Sequence, residues 1–106
     1  MDIIYISHSN KPQTRAEELV RVEEIKEVLE RSGYRVITPQ DIVPSHQPYN
    51  YTISRRIEQL LSCSAAIFID EWKTSSLCKM ERYACGLHGI DTYEEDTWRD
   101  LLANMV

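Results

Sequence analysis

The chain is short of the residues that mark several protein classes. It has only 3 glycines and 4 prolines in 106 residues, too few for a collagen-like or low-complexity chain. Its 3 cysteines, Cys63, Cys78 and Cys85, are odd in number and lack CxxC spacing. They suit free thiols in a reducing compartment better than a disulfide or zinc framework. No apolar run approaches the ~20 residues that cross a bilayer, and the opening MDIIYISHSN lacks the basic n-region of a secretory signal. Basic residues are outnumbered 17 to 12, for a net charge of -5, so the clustered lysine and arginine that duplex nucleic acid draws on are missing. These absences predict a cytoplasmic protein with no metal, no cofactor, and neither nucleic acid nor a membrane as partner. A small molecule is the expected ligand.

What is present is ordinary for a packed domain: 42% hydrophobic and 27% charged residues, at a length that suits one domain over residues 1–106. Ile3, Ile4 and Ile6 form a short β-branched run, closed by the polar stretch from Ser7 to Asn10, and read as a buried first strand. Thr14 and Glu17 have capping-box spacing. Ala16, Leu19, Val22, Ile25, Val28 and Leu29 then keep helical spacing until Ser32 and Gly33. Tyr34 to Thr38 reads as a second strand ended by Pro39, and residues 40 to 49 as a proline-broken loop long enough to cover a site. Ile53, Ile57, Leu60 and Leu61 mark a second helix, and Ala65 to Ile69 the most apolar strand. Leu77, Met80, Ala84 and Leu87 mark a third helix that stops near Gly89. Ile90 to Tyr93 is a candidate fourth strand, and Trp98, Leu101, Leu102 and Met105 a final amphipathic helix.

Strand and helix alternate three times, which calls for a parallel sheet with right-handed crossovers. The expected fold is α/β: a truncated doubly wound, flavodoxin- or Rossmann-like sheet of three to four strands, order 2-1-3(-4), with helices on both faces. In such sheets ligands bind beyond the carboxyl ends of the strands, between neighbours whose connections diverge. That crevice lies between strands one and three. Ser7 to Lys11 and Asp70 to Glu81 arrive there.

Ser75 and Ser76, at the start of the third helix, either hold an anion or cap the helix; spacing alone favours the cap. Glu81, next to Met80 and Ala84, should sit at the edge of the core, and by pattern is more often a solvated or paired glutamate than a catalytic one. Tyr5 is equally a core tyrosine or a hydroxyl reaching the crevice. His8, His46 and His88 lack ligand spacing and read as surface or capping residues. Cys78 and Cys85 read as buried, inert thiols.

Three segments together resemble the nucleoside 2-deoxyribosyltransferase-like superfamily, over about residues 2 to 90: Ile4-Tyr5-Ile6-Ser7, Leu29 through Pro39, and Trp72-Lys-Thr-Ser-Ser-Leu-Cys-Lys-Met-Glu81 followed by Ala84. The resemblance implies cleavage of an N-glycosidic bond, with Glu81 as nucleophile through a covalent glycosyl-enzyme and Tyr5 orienting it. Ser75, with Ser9 and Lys11 after the first strand, matches the 2′-deoxynucleoside 5′-phosphate N-hydrolase-like branch. A nucleoside monophosphate is then the implied ligand, with Ser7, Trp72 and Ser76 in its site. Three positions depart from the pattern: Arg56 stands where an aspartate usually handles the leaving base, and His8 and Leu77 replace glycines. Asp70 is the weak substitute for the missing acid, since a guanidinium keeps its proton.

Three functions follow as expectations: hydrolysis of a (deoxy)nucleoside 5′-monophosphate, transfer of deoxyribose between bases, and a catalytically inactive nucleotide-binding or interaction module. Two further expectations accompany them. Glu81 should matter little for folding, and the apolar face of the last helix should make a homodimer.

Overall fold

A computed structural model of the chain describes residues 2–9, 15–42, 47–69 and 72–103. Four strands form one all-parallel sheet in the order β2-β1-β3-β4: β1 Ile3–Ser7, β2 Arg35–Ile37, β3 Ala65–Phe68 and β4 Asp91–Glu94. The register sets Ile4 beside Val36 on one side and Ala65 on the other, and Ser7 beside Phe68. Phe68 in turn pairs with Glu94. The α/β fold and strand order follow the expectation, and the fourth strand is real.

Side chains alternate across a strand, and the two faces are covered by different helices. On one face Ile4, Ile6, Val36, Ala65 and Ile67 pack with Val22, Ile25 and Leu29 of helix α1 (Arg15–Arg31). On the other, Tyr5, Ala66 and Phe68 pack with Leu60 of α3 (Tyr49–Leu60) and with Cys78, Ala84 and Cys85 of α4 (Ser76–His88). Fully burying one such aliphatic side chain, Leu29 for example, contributes about 1.5 to 3 kcal/mol.

Helix ends follow local chemistry. Gly33 takes a positive φ of 97°, and the bonds Tyr34 N–H to Leu29 C=O and Gly33 N–H to Glu30 C=O close α1 in a Schellman turn. Gly89, at φ 67°, ends α4 in the same way, with Ile90 N–H bonded to Cys85 C=O. The expected capping residue Thr14 lies outside the described residues.

Several boundaries differ from the sequence reading. Pro39 starts an element instead of ending one: Pro39–Ile42 is a short helix, α2. Asp41 accepts from both the N–H and the hydroxyl of Thr38, each at 3.0 Å. Proline at a first helical position gives up a hydrogen bond that the helix start would not have made, so Thr-Pro-Gln-Asp initiates helix. The α4 stripe is turned. Met80 and Leu87 are exposed, whereas Cys78, Glu81, Ala84 and Cys85 are buried. Leu61, expected in the α3 stripe, is also exposed.

The last helix, α5 (Asp100–Ala103), packs on its own sheet. Trp98 and Leu101 are buried in the α1-side core with Leu102 partly buried against it, and the Tyr34 hydroxyl donates to the Leu101 carbonyl at 3.2 Å. The apolar face offered as the reason for a dimer is therefore used within the domain; Met105 lies outside the described residues. Among the described residues no helix is long and apolar enough to cross a membrane.

Candidate functional site

Two polar centres flank the carboxyl end of β1, one on each face of the sheet. Alternation explains the split. Tyr5 and Ser7 point toward α3 and α4, while His8, beyond the strand end, meets α1.

On the α3/α4 face the centre is Glu81, in the second turn of α4. Its position three residues after Cys78 and four before Cys85 places it in the buried stripe, and it is fully enclosed. Each carboxylate oxygen accepts two hydrogen bonds. Oε1 takes the Ser7 hydroxyl at 2.6 Å and Arg56 Nη2 at 2.7 Å. Oε2 takes Arg56 Nε at 3.0 Å and the Tyr5 hydroxyl. Arg56 thus grips the carboxylate with two nitrogens, the strong planar arrangement for this pair. Its Nε also lies 3.2 Å from the Tyr5 oxygen, and Nη2 donates to the His8 carbonyl at 3.2 Å.

The electrostatics agree with the geometry. Burial lowers the pKa of the Arg56 guanidinium, but the Glu81 carboxylate outweighs it, so the cation is held more firmly than usual. Burial, then the Glu81 charge, push the Tyr5 hydroxyl well above its ordinary value. Tyr5 is therefore a proton donor to Glu81 and not a phenolate. The Ser7 hydroxyl is also 3.2 Å from Cys78 Sγ. With its one proton given to Glu81, the thiol must be the donor in that contact. Burial raises the Cys78 thiol, and lifts Cys85 and Cys63 to about 11, consistent with unreactive buried thiols.

On the α1 face the centre is Glu18, also fully enclosed. It precedes Val22 by one turn and Ile25 by two, so it occupies a core position of the helix. Its carboxylate accepts from the Ser9 backbone N–H at 3.0 Å and from the Ser9 hydroxyl. His8 Nδ1 lies 3.3 Å from Glu18 Oε2, and His8 Nε2 is 2.9 Å from Gln40 Oε1. Burial lowers the His8 pKa, so the ring is neutral near pH 7.

The expected site residues separate into groups. Tyr5, Ser7 and Glu81 are brought together. Ser9 faces Glu18 on the other side of the sheet, away from Ser75. The Ser75 hydroxyl accepts from Cys78 N–H at 3.3 Å as the N-cap of α4, while Ser76 is the exposed first residue of that helix. Trp72 is partly buried at the β3/β4 edge, where its indole N–H donates to Glu94 at 3.1 Å and its ring tilts on Phe68. Lys11 and Asp70 lie outside the described residues, as does His46.

Sequence reasoning passed over Arg56, Glu18, His8 and Gln40. Arg56 was legible only as a missing acid, yet it stands one turn before Leu60 on the buried face of α3. Glu18 carries the same signal one turn before Val22. A charged residue in phase with an apolar stripe implies a buried partner. No protein-family model and no curated protein matches the chain.

Proposed function

We propose that this domain binds a nucleoside-class small molecule beyond the carboxyl ends of β1 and β3 without cleaving it. One observation carries the reading: the carboxylate that would have to attack the sugar is enclosed and saturated, with four donors on two oxygens and a guanidinium across both. A nucleophile needs an unshared lone pair aimed at C1′ at about 3 to 3.5 Å. Removing Arg56 from its pair leaves a buried charge alone, at a cost of about 3 to 5 kcal/mol. Added to a barrier, that slows reaction roughly 10²- to 10⁴-fold. The ligand class rests on the resemblance of residues 2 to 90 and on the position of the strand-end crevice.

The second reading is N-glycosidic hydrolysis of a (deoxy)nucleoside 5′-monophosphate, or transfer of its sugar, through Glu81. The approach of Tyr5 and Ser7 to that carboxylate favours it, because both roles the resemblance implies for Tyr5 and Glu81 need them in contact.

Incubation with a panel of 2′-deoxynucleosides and their 5′-monophosphates separates the two. Binding seen by calorimetry, with no free base detected by chromatography, is the expected outcome. Base release that vanishes in a folded Glu81→Gln variant establishes the enzyme instead.

A further inference from the structure

The loop after β1 presents the donors that an oxyanion uses at the carboxyl end of a parallel strand: a backbone N–H, a hydroxyl and an imidazole. In this chain those groups already hold an anion. The Glu18 carboxylate accepts from Ser9 N–H and Ser9 Oγ and lies 3.3 Å from His8 Nδ1. Its own residue is fully enclosed, and His8 and Ser9 are buried with it. Glu18 arrives from α1, an element that covers the sheet face and is anchored through Val22, Ile25 and Leu29. The carboxylate is thus fixed by the core and cannot swing aside the way a surface side chain does.

We infer that Glu18 is a built-in occupant of the strand-end anion cradle, so that the domain takes uncharged nucleosides and rejects their 5′-monophosphates. This rests on the nucleoside-binding reading above and narrows it. The physical reason is twofold. A phosphate approaching Ser9 meets donors that are already bonded, and it meets a buried like charge where screening is weak. A neutral 5′-hydroxyl faces no such repulsion.

The test has two independent arms. In the first, calorimetry compares 2′-deoxynucleosides with their 5′-monophosphates on the parent protein and on Glu18→Gln, which keeps side-chain volume and removes the charge. The parent should prefer the nucleoside, and Glu18→Gln should reduce that preference by roughly tenfold or more. In the second arm, inorganic phosphate is titrated against Glu18→Ser at constant ionic strength, with chloride as control and thermal unfolding as readout. Phosphate should raise the Tm of Glu18→Ser, or restore its folding, and leave the parent unmoved.

A parent that binds monophosphates as tightly as nucleosides overturns the inference while the binding reading stands. A preference unchanged in Glu18→Gln, or a Glu18→Ser chain that gains nothing from phosphate, overturns it as well. If the parent binds nothing in the panel, the binding reading fails and nucleoside selectivity with it; the phosphate arm then still decides whether Ser9 and His8 form an anion cradle.

Discussion

The two polar centres at the end of β1 enclose one carboxylate each but solve the cost differently. Glu81 is matched by a full opposite charge: Arg56 spans both of its oxygens, and Tyr5 and Ser7 fill the remaining acceptor directions. Glu18 takes its described hydrogen bonds from a backbone N–H and a hydroxyl, and faces an imidazole. The first arrangement cross-links β1, α3 and α4 and leaves the carboxylate nothing further to accept. The second ties a loop to α1 through groups that also suit other anions. A paired buried charge behaves as structure, whereas a charge held by dipoles keeps the character of a binding site.

The largest expected effect comes from breaking the pair. Arg56→Met should cost about 3 to 5 kcal/mol in denaturant unfolding, because Glu81 is left charged and enclosed. Glu81→Gln should be strongly destabilising for the mirror reason, contrary to the expectation that Glu81 contributes little to folding. Replacing both, Arg56→Met with Glu81→Leu, should recover most of the loss, since a well-packed apolar pair avoids the desolvation cost altogether. Single variants within about 0.5 kcal/mol of the parent would mean that water reaches the pair.

This pair also marks how far the sequence could be read. Strand order, the parallel sheet and helices on both faces follow from the alternation of apolar runs, because periodicity reports which face is buried. The contact of Tyr5 with Glu81 was anticipated through resemblance, not spacing. What stayed hidden was the phase of α4, where Leu77, Met80 and Leu87 outweigh Cys78 and Cys85 on a hydrophobicity pattern. The helix nevertheless turns the cysteines inward, and Glu81 goes with them toward Arg56. Long-range ion pairs leave no local trace, so Arg56 read as an absent acid. Pro39 was misread because the same residue ends one element and begins another.

A smaller effect distinguishes a cap from a ligand site. The Ser75 hydroxyl accepts the Cys78 N–H at the start of α4, and it is separated from the Ser9 donors by the sheet. Ser75→Ala should therefore cost about 1 kcal/mol of stability, the usual loss of an N-cap. It should leave the affinities for nucleoside and monophosphate alike within twofold of the parent, roughly 0.4 kcal/mol. A selective loss of monophosphate binding would restore Ser75 to a phosphate site and bring the α4 side into the ligand's reach.

The smallest effect near pH 7 belongs to His8, and it grows only on acidification. Burial lowers the His8 pKa; the Gln40 contact opposes this, Arg56 adds to it, and Glu18 opposes it again, with a lowered value as the result. The unfolded chain returns the ring to its ordinary value of 6.5. Below that pH the unfolded state binds a proton that the folded state still refuses, so stability falls as pH falls until the folded pKa is passed. Above 6.5 the ring is mostly neutral in both states and contributes no slope. Thermal unfolding from about pH 7 to about pH 5.5, still above the ordinary glutamate range near 4.3, should therefore show a steeper decline for the parent than for His8→Gln. That variant keeps a polar side chain at the position and does not titrate. Parallel curves would mean that the Glu18 carboxylate holds the His8 proton in the folded state, which would turn the α1-face centre into a second true ion pair.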